Sequence, residues 1–335
     1  MNTTGSLFKV TLYGESHQRA IGVVIDGVLP GTRIDEAAIR EDLKRRNPNA
    51  VGTTPRKEAD AFTITSGVVE GVATGSPVHL TIENTNVRSK DYTSLKHHPR
   101  PGHADYVAAR KYGGFHDYRG GGRFSGRLTA PLVAAGAIAK GMVPMKFSHH
   151  LVQLGSLKDL SQMDAYLQTI KDEGDSVGGI IELTVTEMPV GLGEPMFKKL
   201  ESEVASILFA VPAVKGVQVG TAFDGIEMKG SEFNDAYTDA EGTTRTNHAG
   251  GVSGGISNGN PLRVRVFVKP TSSIKKEQST YHNQEGKEAS MAIKGRHDVA
   301  IARRAGIVLE NMLALTLADL YLLKRANEVP TSTIR

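Results

Sequence analysis

Four segments of the 335-residue chain gather the side chains able to move protons or hold anions. The first is Gly14-Glu15-Ser16-His17, at the end of a strand-like run. A histidine there, preceded by glycine and flanked by a hydroxyl, can reach into a cleft as general acid or base. A histidine that only hydrogen-bonds a turn would show the same local pattern. The second is Arg100-Pro101-Gly102-His103-Ala104-Asp105. Proline and glycine fix a turn from which His103 projects, with Asp105 placed to orient the imidazole. The adjacent His97 and His98 lack the helical spacing of a metal site, so no metal is expected.

The third segment is Arg119-Gly120-Gly121-Gly122-Arg123-Phe124-Ser125-Gly126-Arg127. Glycines free backbone N–H groups to approach an anion, arginines surround them, and the helix expected next offers its N-terminus. The pattern is neither a Walker loop nor a dinucleotide fingerprint. An arginine- and glycine-rich nucleic-acid contact is the other reading. Such segments repeat their unit, and this one occurs once inside a folded chain. The fourth group is distributed: a glycine loop over residues 250–259 that includes Gly254, then Lys269-Pro270-Thr271-Ser272-Ser273, then Gly295-Arg296-His297-Asp298. Lys269 and Ser273 suit a phosphate or a flavin oxygen. Asp298 suits a base, and equally an N-cap of the helix that follows.

The elements that must position these groups mix strands and long helices. Strands are expected over residues 7–13, 20–26, 61–69, 77–83, 179–186, 214–223 and 262–268. Helices are expected over 35–46 with Asp35 as N-cap, over 129–143 as a buried Ala-rich element, over 194–209, and over 300–325. In the third of these, Phe197, Leu200, Val204 and Leu208 form the apolar stripe. Residues 84–126 read as a long functional loop. There is no regular βαβ alternation, so the expected class is α+β. No linker interrupts the chain, which is read as one domain over 1–335.

Composition removes several function classes. Cysteine is absent, so disulfides, thiolate chemistry and Cys-based zinc sites are excluded. Residues 1–10 carry no long apolar run and no small-residue cleavage site, so no secretory signal is expected. The longest apolar segments contain Arg, Lys or Asp, so no membrane span is expected, and the chain is read as cytoplasmic. The net charge of +4 is small and mixed with acids. It argues for arginines gathered around one anionic ligand more than for a nucleic-acid surface, and the lack of Trp points the same way.

The ordered set of these motifs, from about residue 7 to residue 325, resembles the chorismate synthase family. The resemblance implies a β–α–β sandwich with helices packed between antiparallel sheets, and a homotetramer. It implies a lyase that converts 5-enolpyruvylshikimate-3-phosphate to chorismate and phosphate by trans-1,4 elimination. Reduced FMN is required without net redox change, and NADPH is admitted as its reductant. Position by position, His17 falls on the acid serving the departing phosphate and His103 on the group that manages the charge of the reduced flavin. Asp298 falls on the aspartate that assists at flavin N5. Arg123, Ser125, Ala213, Gly254, Lys269, Pro270, Thr271, Ser272, Ser273 and Arg296 fall on FMN positions. Arg46, Arg127, Arg304 and Ser16 fall on positions that meet the substrate, and Arg46 is also linked to the nicotinamide.

The chain departs from the family pattern at Gln18, Phe124, Leu128 and Val299, and Val51 stands near a common arginine position. Phe124 replaces a hydroxyl, a loss worth about 1 kcal/mol in a polar site. Two functional readings follow: an active lyase, and a weak or inactive relative that binds flavin or shikimate-pathway anions.

Overall fold

Leucine and alanine occupy nearly every turn of the last long helix, leaving it no polar face to turn to water, and this decides where the helices lie. The computed structural model describes residues 1–46, 51–53, 60–85, 98–283, 285–293 and 297–328. Its strands are β1 (Thr3–Thr4), β2 (Lys9–Gly14), β3 (Ala20–Asp26), β4 (Phe62–Ser66), β5 (Val68–Val69), β6 (Val72–Ala73), β7 (Val78–Glu83), β8 (Lys146–Leu154), β9 (Gly179–Thr186), β10 (Val214–Val219), β11 (Val252–Ser253), β12 (Ile256–Ser257), β13 (Leu262–Val268), β14 (Gln278–His282) and β15 (Lys287–Met291). Its α-helices are α1 (Glu36–Arg46), α2 (Asp105–Lys111), α3 (Thr129–Lys140), α4 (Met163–Asp172), α5 (Leu200–Phe209), α6 (Gly230–Phe233) and α7 (Ala302–Ala326).

Two antiparallel sheets face each other across helices. One has the order β1-β2-β3-β7-β4, the other β10-β13-β9-β8. In the first, Ile21 pairs with Ile82 and Val23 with Leu80, all buried. In the second, Val264 pairs with Leu183 and Val266 with Ile181, again buried. Period-two alternation thus turns one face of each sheet inward. α3 packs on the first sheet, α7 on β8 and β9, and α3 and α7 on each other. Gly136 makes that last contact possible, because a Cβ there would lie 2.4 Å from Cβ of Asn311. Each leucine or isoleucine buried between the sheets contributes roughly 2 kcal/mol.

The architecture is the expected α+β sandwich with helices between antiparallel sheets. β3, β9 and β13 keep their expected bounds, and Asp35 caps α1 by accepting the Ala38 N–H at 3.0 Å. α7 is long and apolar enough to cross a membrane by length and composition, but 83% of that stretch is buried inside the protein. The stretch read as a strand over 61–69 divides at Gly67 into β4 and β5. α5 begins at Leu200 rather than 194, and Phe197 is 88% exposed instead of on the apolar stripe. Lys198 has φ +63° and Lys199 is non-helical, so the backbone cannot start the helix earlier. The loop read over 84–126 holds α2 and a short 3₁₀ turn at Arg119–Phe124, and a second turn, Gly126–Leu128, begins at its end.

Candidate active site

The turns at one end of the helical layer leave a cavity of about 650 Å³. Its wall is built from loops that a sheet or helix terminates: Gly102–Ala104 before α2, Gly120 and Arg123–Arg127 before α3, Phe209–Lys215 between α5 and β10, and Lys269–Ser273 after β13. Arg46 at the end of α1 and the first turns of α7 complete it. The volume lies in the range of small-molecule and cofactor sites.

His103 is held by a chain of bonds. Its Nδ1 lies 2.6 Å from Asp105 Oδ1, and Arg100 grips the same carboxylate through Nε at 2.7 Å and Nη2 at 2.8 Å. Arg100 Nη1 then donates to Ser273 Oγ at 3.0 Å. Burial alone would raise the Asp105 pKa, but the hydrogen bonds from Arg100 and His103 pull it well below the usual carboxylate range. An ionised carboxylate only accepts, so the short contact places a proton on Nδ1 and leaves Nε2 uncommitted to Asp105. The placement of Asp105 beside the imidazole is the one expected from the sequence.

His17 takes a different position. It is 8% exposed and packs against the triple-glycine turn: a Cβ on Gly120 would meet its Cδ2 and Nε2 at 2.3 Å and Ser16 Oγ at 3.0 Å. Gly120, Gly121 and Gly122 all have positive φ, at 59°, 79° and 51°, a run that side chains would strain. The turn is tied to the sheet, since Ser16 N donates to Gly122 O at 3.3 Å. Arg123 donates to Gly14 O at 3.1 Å and Leu12 O at 2.8 Å. His17 and Ser16 therefore stand directly behind the cavity wall at Gly120.

Arg46, Arg127 and Arg304 line the cavity with their charges partly answered. Arg46 Nη2 and Nε reach Asp60 Oδ2 at 2.6 and 3.2 Å, and Arg127 Nη1 bonds the other oxygen of the same carboxylate. Arg127 Nε also donates to Asn84 Oδ1 at 3.0 Å. Burial raises the Asp60 pKa, but the two guanidiniums outweigh it and hold the group below its ordinary value. Burial lowers that of Arg46. Arg304 donates to Arg46 O at 3.1 Å and to Asp298 Oδ2 at 3.2 Å. Asp298 is not the N-cap of α7, which begins at Ala302 with Ile301 at the cap; its carboxylate turns to Arg304 instead.

Lys269 completes the cationic lining. Its Nζ donates to Gly102 O at 2.7 Å and Ser272 Oγ at 2.6 Å, and burial followed by the charge of Lys215 lowers its pKa. Of the residues singled out in the sequence, the cavity brings together His103, Asp298, Arg46, Arg123, Ser125, Arg127, Ala213, Lys269, Pro270, Thr271, Ser272, Ser273 and Arg304. Phe124, where a hydroxyl is usual, lines it too. Gly254 does not join them: it is exposed at the β11–β12 turn, whose neighbour Gly255 bonds Leu200 N at 2.8 Å. Arg296 lies outside the described residues.

Comparison with known proteins decides the family. The chorismate synthase family model matches residues 8–322. The chorismate synthase of Chitinophaga pinensis is 51% identical over 332 residues, 98% of this chain and 99% of that one. The chain belongs to the chorismate synthase family. A chorismate synthase of Christiangramia forsetii is 41% identical, covering 98% of this chain and 99% of its own. A crystal structure of chorismate synthase shares the fold at a TM-score of 0.74, with 24% identity over 96% of this chain and 93% of that one. Reading the sequence for this family's motifs found most of the cavity wall but missed Asp60 and Asn84, which lie behind it. An acid in the charged stretch Arg56-Lys57-Glu58-Ala59-Asp60 carries no local signal of burial.

Proposed function

We propose that the chain catalyses trans-1,4 elimination of phosphate from 5-enolpyruvylshikimate-3-phosphate to give chorismate, with reduced FMN. The observation that carries this reading is the gathering of Arg46, Arg127 and Arg304 on one cavity with His103 and Asp298, with His17 buried just behind. A substrate with two carboxylates and a phosphate calls for several guanidiniums, and this wall supplies them.

The lining also fits a flavin mononucleotide. Thr271 Oγ1 is buried on the wall with no hydrogen-bond partner among the described residues, a donor suited to a ligand oxygen. Lys269, Arg123, Ser272 and Ser273 offer cationic and hydroxyl donors, and Pro212, Ala213, Ile301 and Val308 offer apolar surface. When bound, the reduced flavin supplies the electron that makes breaking an unactivated C–H feasible. His17 acts as the acid toward the departing phosphate, in a position shielded from water. His103, its Nδ1–H committed to Asp105, keeps Nε2 available to hold or release a proton. Asp298, oriented by Arg304, would assist at flavin N5, the role the family resemblance gives it. Arg46, Arg127 and Arg304 bind the substrate anions, and Ser16 assists beside His17. The proposal includes a homotetramer, NADPH as the flavin's reductant and a cytoplasmic enzyme, on the strength of the family resemblance.

No observation favours the inactive reading. The test is the anaerobic incubation of substrate with protein and FMN, reduced or oxidised. Chorismate forming only with reduced FMN supports the proposal, and chorismate absent in both arms refutes it.

A further inference from the structure

Asp60 does not line the cavity, yet it touches two side chains that do. Its side chain is 2% exposed, and those of Arg46 and Arg127 are 6% and 5% exposed. Each guanidinium takes one of its carboxylate oxygens. Without a carboxylate between them, two buried like charges would repel and swing apart. The surrounding bonds are weaker guides. Arg46 otherwise has a 3.5 Å contact to Thr129 Oγ1, and Arg127 bonds Asn84 Oδ1 and, at 3.4 Å, Glu83 O. Asp60 sits at φ +45°, a conformation that aspartate tolerates and that costs backbone energy. Its position two residues before β4 anchors the pair to the first sheet.

We infer that Asp60 is a positioning residue for substrate binding, clamping Arg46 and Arg127 side by side so that both guanidiniums meet one anionic group of the substrate. The inference rests on the reading of this cavity as the 5-enolpyruvylshikimate-3-phosphate site. Asp60 acts on the substrate only through the arginines. Neutralising it should raise KM for the substrate and change kcat far less. The FMN affinity should stay as in the wild type, because Asp60 bonds Arg46 and Arg127 whereas Lys269 bonds Gly102 and Ser272.

The test compares wild type with Asp60→Asn, which keeps the shape and removes the charge. Phosphate release gives KM and kcat, flavin fluorescence gives FMN affinity, and calorimetry gives substrate binding without turnover. The expected result is a KM and a substrate Kd raised about 10- to 100-fold, the range for losing charged hydrogen bonds, with FMN binding unchanged. An unchanged or lowered substrate Kd in a folded variant overturns the inference. If Asp60→Asn does not fold, Asp60→Glu retains the charge and displaces the carboxylate by one methylene. The same selective rise in substrate Kd is expected there, and wild-type affinity would overturn the inference. A wild type that binds substrate but releases no phosphate contradicts the functional reading alone.

Discussion

Replacing Gly120 by alanine tests the contact between the glycine turn and His17. The added Cβ would sit 2.3 Å from two atoms of the imidazole. Non-bonded heavy atoms prefer about 3.5 Å, so ring or turn must move by about 1 Å. Neither moves freely: His17 is buried, and the turn is tied to β2 through Arg123. Overpacking of this kind costs about 1–3 kcal/mol, and alanine at φ +59° adds about 1 kcal/mol. A displacement of about 1 Å in a catalytic group can slow turnover by about 10²-fold. The assay is single-turnover phosphate release together with thermal unfolding of Gly120→Ala, His17→Ala and the double variant. The double variant should recover the steric share of the lost stability, leaving about 1 kcal/mol of backbone strain. Wild-type turnover and melting in Gly120→Ala would refute the packing of His17 on this turn, and strictly additive stabilities would show that the clash lies elsewhere.

His17→Ala should itself lower turnover by about 10²-fold while leaving FMN binding intact, as expected for loss of a general acid; unchanged turnover removes His17 from the mechanism. Asp105 gives a pH-dependent prediction. Its folded pKa is depressed below its ordinary value of 3.8, so its stabilisation is fully present above that pH and is lost as pH falls through the folded value. Asp105→Asn should therefore cost on the order of 2 kcal/mol at neutral pH, with the gap to wild type closing only in strong acid. Urea titrations at both pH values check this, and a gap independent of pH would show that the charge plays no part.

Much of the fold was legible because the hydrophobic period was clean. β3, β9 and β13 alternate or run β-branched, and α7 repeats leucine at helical spacing over 25 residues. β8 escaped notice because Lys146-Phe147-Ser148-His149-His150 offers only a weak alternation. α5 was read too long because Phe197 falls in phase with Leu200 and Val204 although the backbone at Lys198 breaks the helix. At the site, glycine turns and short polar motifs marked the cavity wall. What lay behind the wall was not legible. Asp60 is separated from Arg127 by 67 residues, and only the pairing of α1, β4 and the turn before α3 in space brings them together. Asp298 shows the converse, since the sequence allowed an N-cap that the start of α7 at Ala302 rules out.

The central claim is that this cavity performs phosphate elimination with a flavin that ends as it began. Its most direct test is the anaerobic mixing of purified protein and reduced FMN with 5-enolpyruvylshikimate-3-phosphate, following phosphate, chorismate and flavin absorbance together. The predicted result is equimolar phosphate and chorismate over many turnovers with the flavin still reduced. No phosphate release at saturating flavin, or release matched by flavin oxidation, would contradict it.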